Sequence, residues 1–168
     1  MVNRRAFLKA SVAVSAWPAL AGTVGSKPAA SPFYKVVFDR RYAAAQAFAR
    51  EAQSRGWAVH GIEGDVTNLF FRDLDLRWKA GPVAMAGLTV ASSLFCLEML
   101  ARDRGMRLMH RTEHAQLSGG KLAPEVRDVL DWHSSASALP VAMPLSAVTD
   151  PAGQLISWIL APRAGSAS

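Results

Sequence analysis

Cysteine is almost missing from this chain, since Cys96 is the single one among 168 residues. One cysteine cannot form an internal disulfide, and it cannot by itself hold a zinc ion or an iron–sulfur cluster through thiolates. Cys96 lies between Phe95 and Leu97 within a predicted helix, a setting typical of a small buried side chain rather than of a reactive thiol. We therefore predict that Cys96 is buried and structural.

The short motifs of several large enzyme classes are also missing. The glycines at positions 61–64 and 81–87 do not have the spacing of a dinucleotide-binding or Walker phosphate loop. Neither a Gly-x-Ser-x-Gly nucleophile elbow nor a Cys-x-x-Cys-His haem attachment occurs. The sequence therefore assigns no reaction, and any cofactor stays unknown.

A strong charge of either sign is lacking as well. Only 19% of the residues are charged, and the formal net charge is +6. Three basic side chains and no acidic ones lie before residue 22, so removal of that segment would lower the net charge to +3. Because the remaining arginines form no basic stripe interleaved with aromatic side chains, we predict no nucleic-acid partner.

What the chain does contain is a specific pattern at its N-terminus. The run from Asn3 to Lys9 resembles the twin-arginine export signal, in which a polar residue and paired arginines precede a variable residue and Phe-Leu-Lys. The resemblance covers about the first two dozen residues. The positions that carry it are Arg4, Arg5, Phe7, Leu8 and Lys9.

A moderately apolar run, residues 10–21, follows this pattern and is too short to span a bilayer comfortably, so no stable transmembrane anchor is predicted. Ala19 and Ala21 supply a small-x-small cleavage site, which places the mature start near Gly22. The alternative is a basic amphipathic helix that stays on a membrane face. Pro18 and the cleavage site favour a signal peptide instead.

The resemblance implies a route and a compartment. Twin-arginine signals direct folded proteins to the twin-arginine (Tat) translocase, so the implied localisation is periplasmic or secreted, with the signal peptide cleaved. Cargo of this route usually binds a complex cofactor before export or travels with a subunit that does. The resemblance thus implies the translocase and a larger exported subunit as partners.

The rest of the chain alternates between strand and helix patterns. The predicted strands are residues 33–38, 57–61, 83–87 and 106–110, and the predicted helices between them are 40–55, 65–79 and 89–104. A short helix at 124–132 and two strands at 139–143 and 155–161 follow. We predict an α/β fold with a mainly parallel sheet (βαβαβαβ), helices on both faces and a C-terminal antiparallel hairpin.

Length and composition set the domain organisation. A chain of 168 residues with 51% apolar content can bury one core. The predicted segments are a signal peptide at residues 1–21, a flexible leader at 22–32, a single α/β domain at 33–161 and a loose tail at 162–168.

The carboxyl ends of parallel strands form the edge at which such sheets bind ligands. The candidate catalytic residues there are Asp39, Arg41, Thr89, Glu113 and His114. Asp39 and Thr89 also suit a second role, since each precedes a predicted helix and has a side chain that can cap it. For Asp39 the cap is the preferred interpretation.

His110 and His114 enclose Glu113 and are the weak candidates for a metal site. On a strand the two imidazoles would lie about 13 Å apart, so binding one ion requires a bend at Thr112 and a third ligand. Met106, Leu108 and His110 are predicted to share one face of that strand. A structural role is therefore preferred for both histidines.

Phe70 and Phe71 are adjacent on a predicted helix and so point about 100° apart. One core face cannot easily bury both, which indicates a partner interface for one of them or a helix packed between two layers.

Three functions remain open from the sequence. The preferred one is an accessory protein or small subunit of an exported, cofactor-containing redox enzyme. The alternatives are a small periplasmic enzyme or ligand-binding protein that uses the strand ends, and a histidine-based metal-binding protein.

Overall fold

The computed structural model describes residues 31–114, 117, 122–132 and 154–163. The signal peptide, nearly all of the leader, the predicted strand at 139–143 with its hairpin, and the tail beyond residue 163 lie outside these ranges. Predictions about those segments are therefore neither confirmed nor contradicted.

The described residues alternate strands and helices as predicted, with shifted bounds. The strands are β1 (Lys35–Asp39), β2 (Val59–Ile62), β3 (Met85–Thr89), β4 (Met106–His114) and β5 (Leu155–Pro162). The helices are α1 (Ala43–Ser54), α2 (Thr67–Leu69), α3 (Asp75–Ala80), α4 (Ala91–Arg102) and α5 (Pro124–Leu130), and a π-helical turn, Phe70–Leu74, joins α2 to α3.

The buried helix faces follow the apolar spacing of the sequence. In α4, Leu94, Leu97 and Ala101 are buried, as predicted from their recurrence on one side of a helix. The same holds for Phe48 in α1 and Val129 in α5. None of the helices within the described ranges is long and apolar enough to cross a membrane.

The strands form one mixed sheet in the order β2-β1-β3-β5-β4. The pairs β1–β2 and β1–β3 are parallel, whereas the longer pairs β3–β5 and β4–β5 are antiparallel. The α/β class is thus confirmed, but a mainly parallel sheet is not. The reason is that β5 inserts between β3 and β4, which a strand–helix–strand unit read from the sequence would have placed side by side.

Helices cover both faces of the sheet, as predicted. We call the first layer the α4 face, where α4 and the stretch from α2 to α3 bury Leu74 and Trp78 against Met85 and Trp158. The second layer is the α5 face, where α1 and α5 bury Phe48 and Val126 with other apolar residues. The core is therefore divided by the sheet into two clusters.

A β-bulge in β4 decides which side chains each face receives. Leu108 pairs with Leu160, yet His110 pairs with the next residue, Ile159, so Met109 is an extra residue in β4. His110 consequently lies on the α5 face, opposite to Leu108. The predicted common face for Met106, Leu108 and His110 is wrong, because an inserted residue reverses the alternation after it.

Candidate functional site

The strand ends do meet at one edge of the sheet, and Asp39 lies at the end of β1. It is fully buried and does not cap α1, which begins at Ala43. Its carboxylate instead accepts hydrogen bonds from Arg41, at 3.1 Å from the backbone N–H and at 2.9 and 2.6 Å from the guanidinium. The predicted cap is therefore wrong, since three extra residues separate the strand from the helix.

Thr89 is the last residue of β3 and is also not a helix cap. α4 begins at Ala91, with Val90 in the cap position and no side-chain hydrogen bond there. The Thr89 hydroxyl accepts a hydrogen bond from the Trp158 indole N–H at 3.0 Å and donates to the Val90 carbonyl oxygen at 3.2 Å. Thr89 thus ties β3 to β5 in the buried interior.

His114 and Glu113 occupy opposite sides of the end of β4. His114 is buried, and its Nε2 lies 2.8 Å from the Ser157 hydroxyl on the α5 face. Glu113 is exposed and pairs with Arg111 at 2.7 Å. Asp39 and Thr89 lie on the α4 face, so the sheet separates them from His114. The five predicted rim residues therefore share an edge but do not form one constellation.

The histidines resist protonation in the folded chain. Burial lowers the pKa of His114, and the positive charge that His110 can carry lowers it further, against the attraction of Glu125. Burial also lowers the pKa of His110, while Asp128 raises it to a smaller extent. Both rings are therefore held in the neutral form over a wider pH range than a free histidine.

The metal hypothesis finds no third ligand in the part of the chain that the structure describes. No group of three His, Cys, Asp or Glu side chains there could hold an ion. β4 stays paired with β5 as a regular strand from His110 through Thr112 to His114, without the break in the strand that a shared ion requires. The Thr112 hydroxyl lies 3.1 Å from His110 Nε2 instead.

A groove of about 400 Å³ lies on the outside of the α4 face, between the α2–π-turn segment and α4. It begins at the end of β2, where Gly64 and Asp65 lie, and continues between apolar side chains. Phe71 is 69% exposed, Met99 47% and Phe95 43%. Such a concentration of exposed large apolar groups on one surface is typical of a binding site. We call it the apolar groove; it is lined by Gly64, Asp65, Val66, Thr67, Phe70, Phe71, Phe95, Cys96, Met99 and Leu100.

Cys96 lies in the apolar groove and is exposed, so the prediction of a buried Cys96 is wrong. The helix turns the predicted stripe of Leu94 and Leu97 toward the sheet, and Cys96 therefore faces outward. As predicted, Phe70 and Phe71 are not both buried. Phe70 is only 7% exposed, and Phe71 projects outward.

The π-turn that carries Phe71 is fixed to the sheet through Asp73. Tyr34 donates a hydrogen bond to Asp73 at 2.6 Å, and Lys35 forms an ion pair with it. Burial alone would raise the pKa of Asp73, but hydrogen bonds from Lys35 and Tyr34 lower it overall. An ionised Asp73 thus anchors one wall of the apolar groove to β1.

The loop after β2, which lines the apolar groove with Gly64 and Asp65, is held in place by two hydrogen bonds. The Ser93 hydroxyl donates to the Gly64 carbonyl oxygen at 2.7 Å, and Asp65 accepts a hydrogen bond from the Thr67 N–H at 2.8 Å. A hydrogen bond from the Thr67 side chain and, to a smaller extent, the one from the Thr67 N–H lower the pKa of Asp65. Asp65, the acidic residue among those that line the groove, is therefore ionised, and the loop that carries it is held in one conformation.

The sequence signalled only part of these sites. The adjacent Phe70 and Phe71 pointed to an exposed aromatic, but the contribution of α4 to the apolar groove had no sequence signal. Nothing in the sequence singles out Ser157 or Trp158, which the topology places beside β3 and β4. No family model matches this chain, and neither the curated proteins nor the solved structures contain a significant match to it.

Proposed function

We propose that this protein is an exported accessory protein, or small subunit, of a larger cofactor-containing redox enzyme, and that it folds before export. The single observation that supports docking is the apolar groove, because Phe71, Phe95 and Met99 expose large apolar surfaces on adjoining elements. Interfaces concentrate their binding energy in a few such anchors. The proposed occupant is an apolar helix or loop of the larger subunit.

The anchored geometry of the apolar groove favours docking over a chance exposure. One wall is held to β1 through the ion pair between Asp73 and Lys35, and the loop after β2 is held to α4 by the hydrogen bond from Ser93 to the Gly64 carbonyl oxygen. A preformed surface loses little conformational entropy when a partner binds, so more of the contact energy appears as affinity. Leu76, also 65% exposed, is not among the residues that line the groove.

Replacing Phe71 and Met99 together by serine and glutamine is expected to release the partner. Loss of two apolar anchors should cost about 3 kcal/mol, or roughly a hundredfold in affinity. The measurement is size-exclusion chromatography of tagged protein from the native periplasm, in which the wild type should co-elute with a larger subunit in a fixed ratio.

The matched control is Leu76→Gln, which removes an equally exposed apolar side chain outside the apolar groove. It should leave the complex intact. The double variant should lower the melting temperature only slightly, since Phe71 is largely exposed and its one ring contact is the edge-on packing against Phe70 at 5.2 Å, and both variants should remain folded. A wild-type protein that elutes as a lone monomer would refute the proposal. So would a complex that survives the double substitution.

Export is expected to depend on the paired arginines. Changing Arg4 and Arg5 to lysine keeps both charges but should leave the uncut precursor in the cytoplasm. The export signal that this segment resembles is defined by paired arginines, and lysine is not equivalent to arginine. Immunoblots of cytoplasmic and periplasmic fractions would measure this. Lys27→Gln, beyond the predicted cleavage site, is the control and should be exported normally. Normal export of the variant in which Arg4 and Arg5 are changed to lysine would contradict the proposed route.

The second candidate function is a small enzyme or ligand-binding protein at the strand ends. It is favoured by the buried polar groups at this edge of the sheet, Asp39 and Thr89 on the α4 face and His114 on the α5 face. These groups are closed to solvent and already hydrogen-bonded within the chain. A ligand could reach them only after part of the cover moves, so docking at the apolar groove remains the preferred proposal.

A further inference from the structure

The apolar groove lies between two helical walls. One wall is α4, where Phe95 and Met99 are four positions apart and both exposed. Four residues rise about 6 Å along a helix, or roughly one turn, so these two side chains lie on the same side of α4. The other wall is the segment from α2 through the π-helical turn, which contributes the exposed Phe71. Such a lining suits the apolar side of a third helix, a common mode of peptide recognition.

The end of the apolar groove next to β2 is polar, because Asp65 lies there. Asp65 is the charged residue among the described residues that line the groove, and it is exposed. Its carboxylate accepts a hydrogen bond from the Thr67 N–H at 2.8 Å. None of the ion pairs in the described part of the chain includes Asp65. A cation on a docked segment would therefore complement this end of the groove.

The basic side chains around this end are already paired with other acids. The Arg41 guanidinium lies beside Gly64, since a Cβ there would be 2.8 Å from it, but Asp39 accepts hydrogen bonds from it at 2.9 and 2.6 Å. Arg40 is paired with Glu63 at 3.7 Å. The basic residues on the two walls that do not line the groove are Arg72 and Arg102. The charge that the groove presents to a docked segment is thus the negative charge of Asp65.

We propose that the segment of the larger subunit that docks in the apolar groove is an amphipathic helix with a lysine or arginine at the end that reaches Asp65. The inference rests on the proposed function, whose partner it describes in chemical terms. The apolar side of this helix covers Phe71, Phe95 and Met99. These apolar contacts supply most of the affinity, while the charge pair with Asp65 selects among apolar helices.

Two synthetic peptides test this pairing on the mature protein. Both are amphipathic helices of about 16 residues, long enough to be helical when bound, with the same leucine-rich apolar side. One has lysine at both ends and the other glutamate, so that one terminal charge reaches Asp65 in either orientation. Cys96 reports occupancy, because it is the single cysteine of the chain, lines the groove and is exposed. A bound peptide should slow its alkylation by a maleimide, and the concentration dependence gives the affinity.

The lysine peptide should bind about fivefold more tightly than the glutamate peptide, the upper range for an exposed charge pair. In about 0.5 M salt the difference should fall below about twofold, because salt screens exposed charges. Asp65→Asn should abolish the preference, since asparagine still accepts the hydrogen bond from the Thr67 N–H but has no charge. Glu63→Gln is the matched control. It removes an exposed acid two positions away that does not line the groove, and it should keep the preference.

Equal binding of the two peptides, or a preference that survives Asp65→Asn, would overturn the proposal. So would binding that leaves the alkylation of Cys96 unchanged, since the peptide would then lie elsewhere. Slow alkylation without peptide that becomes faster on dilution would show a second copy of the chain in the groove, and would also overturn it. Co-elution of a larger subunit tests the proposed function separately. If the peptides behave as expected but no subunit co-elutes, the proposed function is wrong and the chemistry assigned to the groove stands.

Discussion

Gly87→Ala is expected to lower the free energy of unfolding by about 3 kcal/mol or more, although it adds a single methyl group. Gly87 lies in β3, directly opposite Trp158 in β5. A Cβ at this position would lie 2.5 Å from Trp158 Cε2 and 2.7 Å from the Val37 carbonyl oxygen. Because the Val37 backbone and the fully buried Trp158 indole cannot both move away from the added methyl group, the central strands must separate.

Urea denaturation monitored by circular dichroism measures the effect. Gly105→Ala provides the control, because no atom lies within 4 Å of a Cβ there and its φ of +71° makes the cost one of backbone conformation alone. We expect that control to lose only about 1 kcal/mol. Equal losses at the two positions would show that the indole does not limit the space at Gly87.

A second substitution separates steric from conformational causes. Phenylalanine in place of Trp158 removes the part of the ring system that a Cβ at Gly87 would meet. The double variant Gly87→Ala, Trp158→Phe should therefore be more stable than the sum of the two single effects predicts, with a coupling of about 1–2 kcal/mol. Additive effects would contradict direct contact.

Trp158→Ala is expected to cost about 4 kcal/mol, the second large effect. Trp158 is fully buried in β5 between β3 and β4 and packs in the cluster of the α4 face. Its removal leaves a cavity beside Gly87 and also removes the hydrogen bond that the indole N–H donates to Thr89 at 3.0 Å. Because domains are stable by only about 5–15 kcal/mol, much of the total would be lost.

Calorimetry and urea midpoints would measure this loss, and Trp158→Phe is the control that keeps most of the apolar volume. It should lose less than half as much, since the hydrogen bond with Thr89 is worth about 1 kcal/mol. If alanine and phenylalanine were equally destabilising, the hydrogen bond rather than the packing would dominate. A loss below 1 kcal/mol for alanine would show that the core collapses into the space.

The order of elements could be predicted from the sequence because it depends on local patterns. The spacing of Leu94, Leu97 and Ala101 indicated a helix with one buried side, and these residues are buried. The short apolar stretch before it predicted an interior strand, and all of β3 is buried. The starts of β4 and β5 are as predicted, and the other strand bounds shifted by one to four residues. Strand ends depend on pairing partners rather than on propensity.

The predictions that Asp39 and Thr89 cap helices were wrong for a related reason. Asp39 and Thr89 have suitable side chains and lie just before helices, so capping was a reasonable local interpretation. In the folded chain, Arg41 and Trp158 provide their hydrogen-bonding partners. Trp158 lies 69 positions from Thr89 in the sequence, and no local pattern indicates such a contact.

The candidate sites depended most on long-range structure. The sequence indicated that one of Phe70 and Phe71 would be exposed, but only the packing of α4 beside the π-turn created the apolar groove. The rim residues were found by their position at strand ends. Their division between two faces follows from the sheet, which separates Thr89 from His114.

By itself the sequence determined the α/β class, the buried sides of the helices and the resemblance to a twin-arginine signal, because each is encoded by residues within a few positions of one another. Only the tertiary structure decided that β5 lies between β3 and β4, and that the bulge at Met109 places His110 and His114 on the α5 face of the sheet. Strand order and register depend on pairing between distant segments. Their free energies arise only when the whole sheet is assembled, and no local pattern of residues carries them.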